Sequence, residues 1–92
     1  MTEHDNPEDE AFAEDALIQA IENQIEAGEP PAALATQNKL MLVGYEREEI
    51  LQLMALVLAH EIKCMLSEDR PFDSAAYEQA LRALPELPEE TP

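Results

Sequence analysis

The sequence predicts an all-α fold: a compact antiparallel four-helix bundle with a central hydrophobic third helix and acidic disordered tails. Three observations carry that expectation. Apolar residues recur at three- and four-residue spacings, with no alternating, strand-like stretch. Gly28 with Pro30-Pro31, then Gly44, Pro71 and Pro85, divide the chain into helix-length pieces. The segment Glu46 to Leu66 is the most apolar of these, has neither Gly nor Pro, and consists mostly of strong helix formers. At roughly 100° per residue its apolar side chains cover about two-thirds of a helical wheel, so neighbours should enclose it on most sides.

The elements follow in order. Residues 1–10 form an acidic stretch without periodicity and read as a disordered tail, ahead of a helical domain at 11–85. A first helix starts at about Glu8 or Ala11 and runs to Ala27, with Ala13, Leu17, Ile21 and Ile25 at four-residue steps and Ile18 and Ala20 widening the stripe. Asp9, Glu10, Glu14 and Asp15 complement the dipole at its N-terminus. Gly28 suits a left-handed terminator, and Pro30-Pro31 prevents continuation.

Pro31 fits the first turn of a second helix ending at Val43, before Gly44. Its expected inward residues are Leu34, Ala35, Leu40, Met41 and Val43, with Thr36, Gln37, Asn38 and Lys39 as a wet middle. The central helix begins at Glu46, where Glu46 and Glu49 have the spacing of a capping box. A fourth helix opens with Asp73 as N-cap. Phe72 and Tyr77 are spaced for a hydrophobic staple, and Tyr77, Ala80, Leu81 and Leu84 face inward. Pro85 and Pro88 end it, leaving 86–92 as an extended acidic tail.

Composition narrows the function classes. The net charge is −16, but the first fifteen residues hold seven acids and the last eight hold three, with no Lys or Arg in either. Residues 16–84 keep eleven acids against five bases, so most of the imbalance sits in tails, where it serves solubility and self-repulsion. Nothing could neutralise several phosphates, which disfavours nucleic acid as a partner. Gln52, His60, Glu61 and Lys63 interrupt the longest apolar run, which argues against a bilayer span and a membrane partner. No basic segment precedes an apolar one near Met1, so no secretory signal is visible. The lone Cys64 suits a reducing compartment, and the expected location is cytoplasmic.

Two groups of candidate residues emerge. On the wheel of the central helix Glu61 falls inside the apolar stripe. Gln24 and Glu14 do the same on the first helix. A buried carboxylate needs a partner, so Glu14, Gln24 and Glu61 are candidates for a polar pocket between helices, with Gln24 the expected partner of Glu61. The blander reading has Glu61 at a frayed helix end, reaching water. The second group is Leu56 with Gln52 and His60, an expected exposed apolar spot and candidate interface.

His60 and Cys64 lie one turn apart, but a zinc site wants three or four ligands. They read better as a flank histidine and a half-buried thiol, so no metal and no cofactor is expected. Met41, Met54 and Met65 read as core filler rather than an adaptable surface.

Ile21-Glu22-Asn23-Gln24-Ile25, Gly28-Glu29-Pro30-Pro31, Gly44 before a Glu-rich helix start, and Pro71-Phe72-Asp73 with Ala76-Tyr77 and Leu81 resemble a small bacterial domain family of unknown function. The resemblance spans about Glu14 to Leu84 and implies an all-helical domain without implying an activity. Members carry His near places that here read Glu14, Ile18 and Gln52, so no metal site is carried over. The leading functional expectation is a non-enzymatic helical interaction module, docking on a protein partner or forming a homodimer. Its alternatives are an acidic decoy for a basic partner, and a metal- or small-molecule-binding domain using the polar pocket.

Overall fold

Four helices follow one another in the computed structural model: α1 (Pro7–Ala27), α2 (Pro31–Val43), α3 (Arg47–Glu68) and α4 (Ser74–Ala83). The structure describes residues 7–88, with side chains described from Glu14 onward; the tail residues 1–6 and 89–92 lie outside it. α1 starts at Pro7, just ahead of the earlier of the two expected starts, Glu8 and Ala11, and so takes in part of the stretch expected as tail. No strand occurs among the described residues.

The Pro and Gly punctuation places the helix ends. Gly28 sits at φ +71°, and its N–H and that of Glu29 both donate to the Gln24 carbonyl, at 2.9 and 3.2 Å. Two terminal carbonyl-seeking donors thus close α1 in one turn. Gly44 (φ +112°) ends α2 in the same way, with Gly44 and Tyr45 N–H groups on the Leu40 carbonyl at 3.1 and 3.0 Å. At the start of α3 the Glu49 side chain reaches back to the Glu46 N–H at 3.2 Å. Asp73 caps α4 by accepting from the Ala76 N–H at 3.1 Å, and the Phe72 and Tyr77 rings meet edge-to-face at 5.5 Å. The expected staple therefore forms.

α3 is central, packing against α1, α2 and α4. Ile50, Leu51, Met54, Ala55, Val57 and Leu58 are its buried apolar residues, meeting Ile21 of α1, Leu40 of α2, and Tyr77, Leu81 and Leu84 at the far end of the chain. Each fully buried aliphatic side chain contributes about 1.5–3 kcal/mol. α3 is also long and apolar enough to cross a bilayer by length and composition, so its polar interruptions exclude less than the sequence reading held. Here it is the core helix of the bundle.

α2 departs from expectation. Its buried residues are Ala32, Ala33, Thr36, Gln37 and Leu40, while Leu34, Met41, Leu42 and Val43 are exposed. Thr36 and Gln37, expected in the wet middle, face the core. Of the residues expected inward, only Leu40 is buried. The reason lies in helix phase. Positions 32, 33, 36, 37 and 40 form one continuous arc, and two alanines at its start let α2 approach its neighbours closely.

Candidate functional site

A groove of about 760 Å³ lies between α1 and the C-terminal half of α3. Ala16, Leu17 and Ala20 form one wall; Ala59, Ile62 and Leu66 form much of the other. The small residues on α1 open the space, and the i, i+3, i+4 spacing on both helices keeps its lining mostly apolar, with Lys63 and Ser67 as the polar exceptions on α3. Leu66 is 71% exposed at the rim, and Leu56 (54% exposed) stands one turn before Ala59 on the same helix. The expected interface residue Leu56 thus lies beside this groove. Gln52 is exposed on its N-terminal side. His60 is half-buried, with Nε2 3.5 Å from the Cys64 sulfur.

The candidate polar pocket resolves into separate contacts. Glu61 is inward, only 6% exposed, but its partner is Arg70 rather than Gln24: Arg70 Nη1 donates to Glu61 Oε2 at 3.0 Å. The Asp73 N–H donates to the same oxygen at 3.4 Å. Asp69, at φ +53°, turns the chain back so that Arg70, nine residues on, reaches the carboxylate. Arg70 also donates to Glu68 and to the Pro71 carbonyl. The hydrogen bonds that Arg70 donates to Glu68 and then to Glu61 push its pKa further up. The Glu61 carboxylate is therefore the knot that holds the α3–α4 corner, tying α3 to the loop and to the cap of α4.

Gln24 has a different partner. Its Oε1 accepts from the Tyr77 hydroxyl at 2.8 Å, joining α1 to α4. Burial raises the Tyr77 pKa to about 12, with the Gln24 hydrogen bond pulling the other way. Glu14 is exposed on α1. The structure therefore brings Glu61 to Arg70 and Gln24 to Tyr77, and no contact joins Glu14, Gln24 and Glu61. The wheel was right about the inward turn of Glu61 and Gln24 and wrong about Glu14. It carried no signal for partners 9 and 53 residues away.

The sequence reading missed a polar cleft of about 420 Å³ where α1, α2 and the start of α3 meet. It contains Glu22 and Arg47, paired at 3.7 Å, and the buried Gln37. Among the described residues no three of His, Cys, Asp and Glu gather closely enough to hold a metal ion. No family model, curated protein or solved structure matches the chain.

Proposed function

We propose that the domain is a non-enzymatic helical interaction module that takes an apolar helical segment of a partner protein into the α1–α3 groove. The supporting observation is the groove itself, mostly apolar, with Lys63 and Ser67 among its α3 residues, about 760 Å³ in volume and open to solvent beside the exposed Leu56 and Leu66. A helix presenting Leu-sized residues at i, i+4 and i+7 would fill it, as helix-in-groove recognition generally does. The chain carries −16, so the matching segment has Lys or Arg flanking its apolar stripe.

The test uses a Leu-striped helical peptide with Lys flanks, titrated into the isotopically labelled full chain. Chemical-shift changes should cluster at Ala16, Ala20, Ala59, Ile62 and Leu66, and Leu66→Glu should abolish them. Binding confined to acidic side chains and erased by moderate salt would overturn the reading in favour of a charge decoy.

A further inference from the structure

The α2 face that the bundle leaves outside carries Leu34, Met41 and Leu42. We propose that a second copy of this chain docks there, α2 against α2 in antiparallel orientation about a two-fold axis at Asn38.

Three observations converge on it. The first is the inversion of α2, which buries Thr36 and Gln37 yet leaves Leu34, Met41 and Leu42 exposed, Leu42 at 88%. Burying polar groups while exposing larger apolar ones is opposite to what solvent alone would select. The second is charge. In a chain with 21 acids among 92 residues, the 16 residues from Pro30 to Tyr45 contain none, and their one charged side chain is Lys39. The Lys39 ammonium is tied back to the Arg82 carbonyl at the end of α4, away from the outer stripe. Two copies of so acidic a protein repel each other at most approaches. They meet least repulsion on this stripe, and its neutrality offers nothing to attract a basic partner.

The third observation is symmetry. At roughly 100° per residue, Leu34, Ala35, Asn38, Met41 and Leu42 occupy one arc about 120° wide, opposite the buried arc. Within that stripe the two leucines are placed symmetrically about Asn38. Leu34 and Leu42 stand four residues to either side, with Ala35 and Met41 three to either side. A two-fold interface requires residue i to meet j while j meets i. With Asn38 on the axis, Leu34 faces Leu42 of the second copy, and Ala35 faces its Met41, a small residue against a long flexible one. The two Asn38 amides then bond each other, the role a single polar residue plays in fixing the register of paired helices. The face belongs to one helix of 13 residues, so the pair sits at the low end of interface size, with an affinity of roughly micromolar or weaker.

No α2 residue lines the α1–α3 groove, so this surface and the proposed partner site stand or fall separately. Sedimentation equilibrium of the full chain over a micromolar-to-millimolar range should show a reversible dimer. Leu42→Glu should abolish it while leaving the helical circular dichroism unchanged, and Leu56→Glu should leave the dimer intact. Asn38→Cys in a Cys64→Ser background places two thiols on the axis, within reach of a disulfide. Mild oxidation should convert that variant to a covalent dimer, and Leu56→Cys in the same background should stay uncrosslinked. A strict monomer throughout the range overturns the proposal. So does a dimer indifferent to Leu42→Glu, or crosslinking through Leu56→Cys in place of Asn38→Cys.

Discussion

α4 and α2 are both short helices packed against the same central partner, yet their sequences specify orientation to very different degrees. In α4 the residues at helical spacing are large and apolar, its exposed residues are polar or small, and one phase is possible. Tyr77 and Leu81 turn inward, Leu84 follows beyond the last turn, and Asp73 with Phe72 fixes the entry. α2 carries apolar residues all round. Its inward arc holds alanines, Thr36, Gln37 and a single large residue, Leu40, while its outer arc holds Leu34, Met41 and Leu42. When apolar residues lie on both sides, connections and backbone approach decide the phase, and a sequence pattern cannot. Pro30-Pro31 and Gly44 fix where α2 starts and stops, and the alanine pair allows the close approach that selects the inward side.

The largest effect separates the two helices directly. Leu81→Ala, at a site with no exposure, should cost about 2–5 kcal/mol. Leu42→Ala, measured by urea denaturation at low micromolar protein, should change stability by less than about 0.5 kcal/mol. Equal costs would mean that Leu42 is covered within the monomer and that the contrast between the helices is false.

The next largest effect appears in alkali, on the α4 side of the comparison. Tyr77 ionises near 10 in the unfolded chain and near 12 in the fold, because burial disfavours phenolate. A pKa raised by folding gives stability that is complete below the unfolded value and declines as pH rises towards the folded one. The denaturation midpoint should therefore fall between pH 10 and 12, and Tyr77→Phe should remove this component while costing about 1 kcal/mol at neutral pH for the lost Gln24 contact. An unchanged alkaline profile in Tyr77→Phe would assign the decline to other groups.

Glu61→Gln comes third and probes how α4 is tethered. The amide cannot neutralise Arg70, and the substitution should cost about 1.5–3 kcal/mol near neutral pH, the range for hydrogen bonds to charged groups. The partly exposed Arg70 keeps Glu68, which places the loss at the lower end. A gain in stability would mean that the carboxylate is buried without effective pairing.

These cases define what the sequence made legible. The four helices and most of their ends were readable, since Pro, Gly and Asp act locally: Val43 and Gly44, Asp73 and Phe72 each declare themselves within a few residues. The inward turn of Glu61 was readable too, because a wheel places it among Ile50, Met54 and Val57, whereas Glu14 was misplaced inward and the buried Thr36 and Gln37 were misplaced outward. Its partner was not. Arg70 reaches Glu61 only because Asp69 adopts a left-handed conformation, and Tyr77 reaches Gln24 only through the packing of chain ends 53 residues apart. The phase of α2 was hidden because apolar residues lie all round it, and with it the exposed stripe; the groove beside Leu56 depends on Ala16 and Ala20 of α1, of which the stripe pattern marked only Ala20, as an inward residue.

A further small effect bears most sharply on α2. Among the described residues the Thr36 hydroxyl is the one buried side-chain polar atom without a hydrogen-bond partner, in a residue 1% exposed. Its desolvation is not offset by any contact, so Thr36→Val, which keeps the branched shape and removes the hydroxyl, should stabilise the domain by about 1 kcal/mol. The comparison with α4 gives the reason for retaining Thr. If only packing against α3 set the inward arc, Val would serve better, as Leu81 does in α4. A polar residue facing in weakens the preference of α2 for its neighbours and lowers the cost of keeping Leu34, Met41 and Leu42 outside. The variant should therefore melt higher with its dimerisation unchanged, because position 36 lies opposite the outer stripe. A lower melting temperature would show that the hydroxyl has a stabilising partner in solution, and that the inward face of α2 is held by a polar contact rather than by Ala32, Ala33 and Leu40 alone.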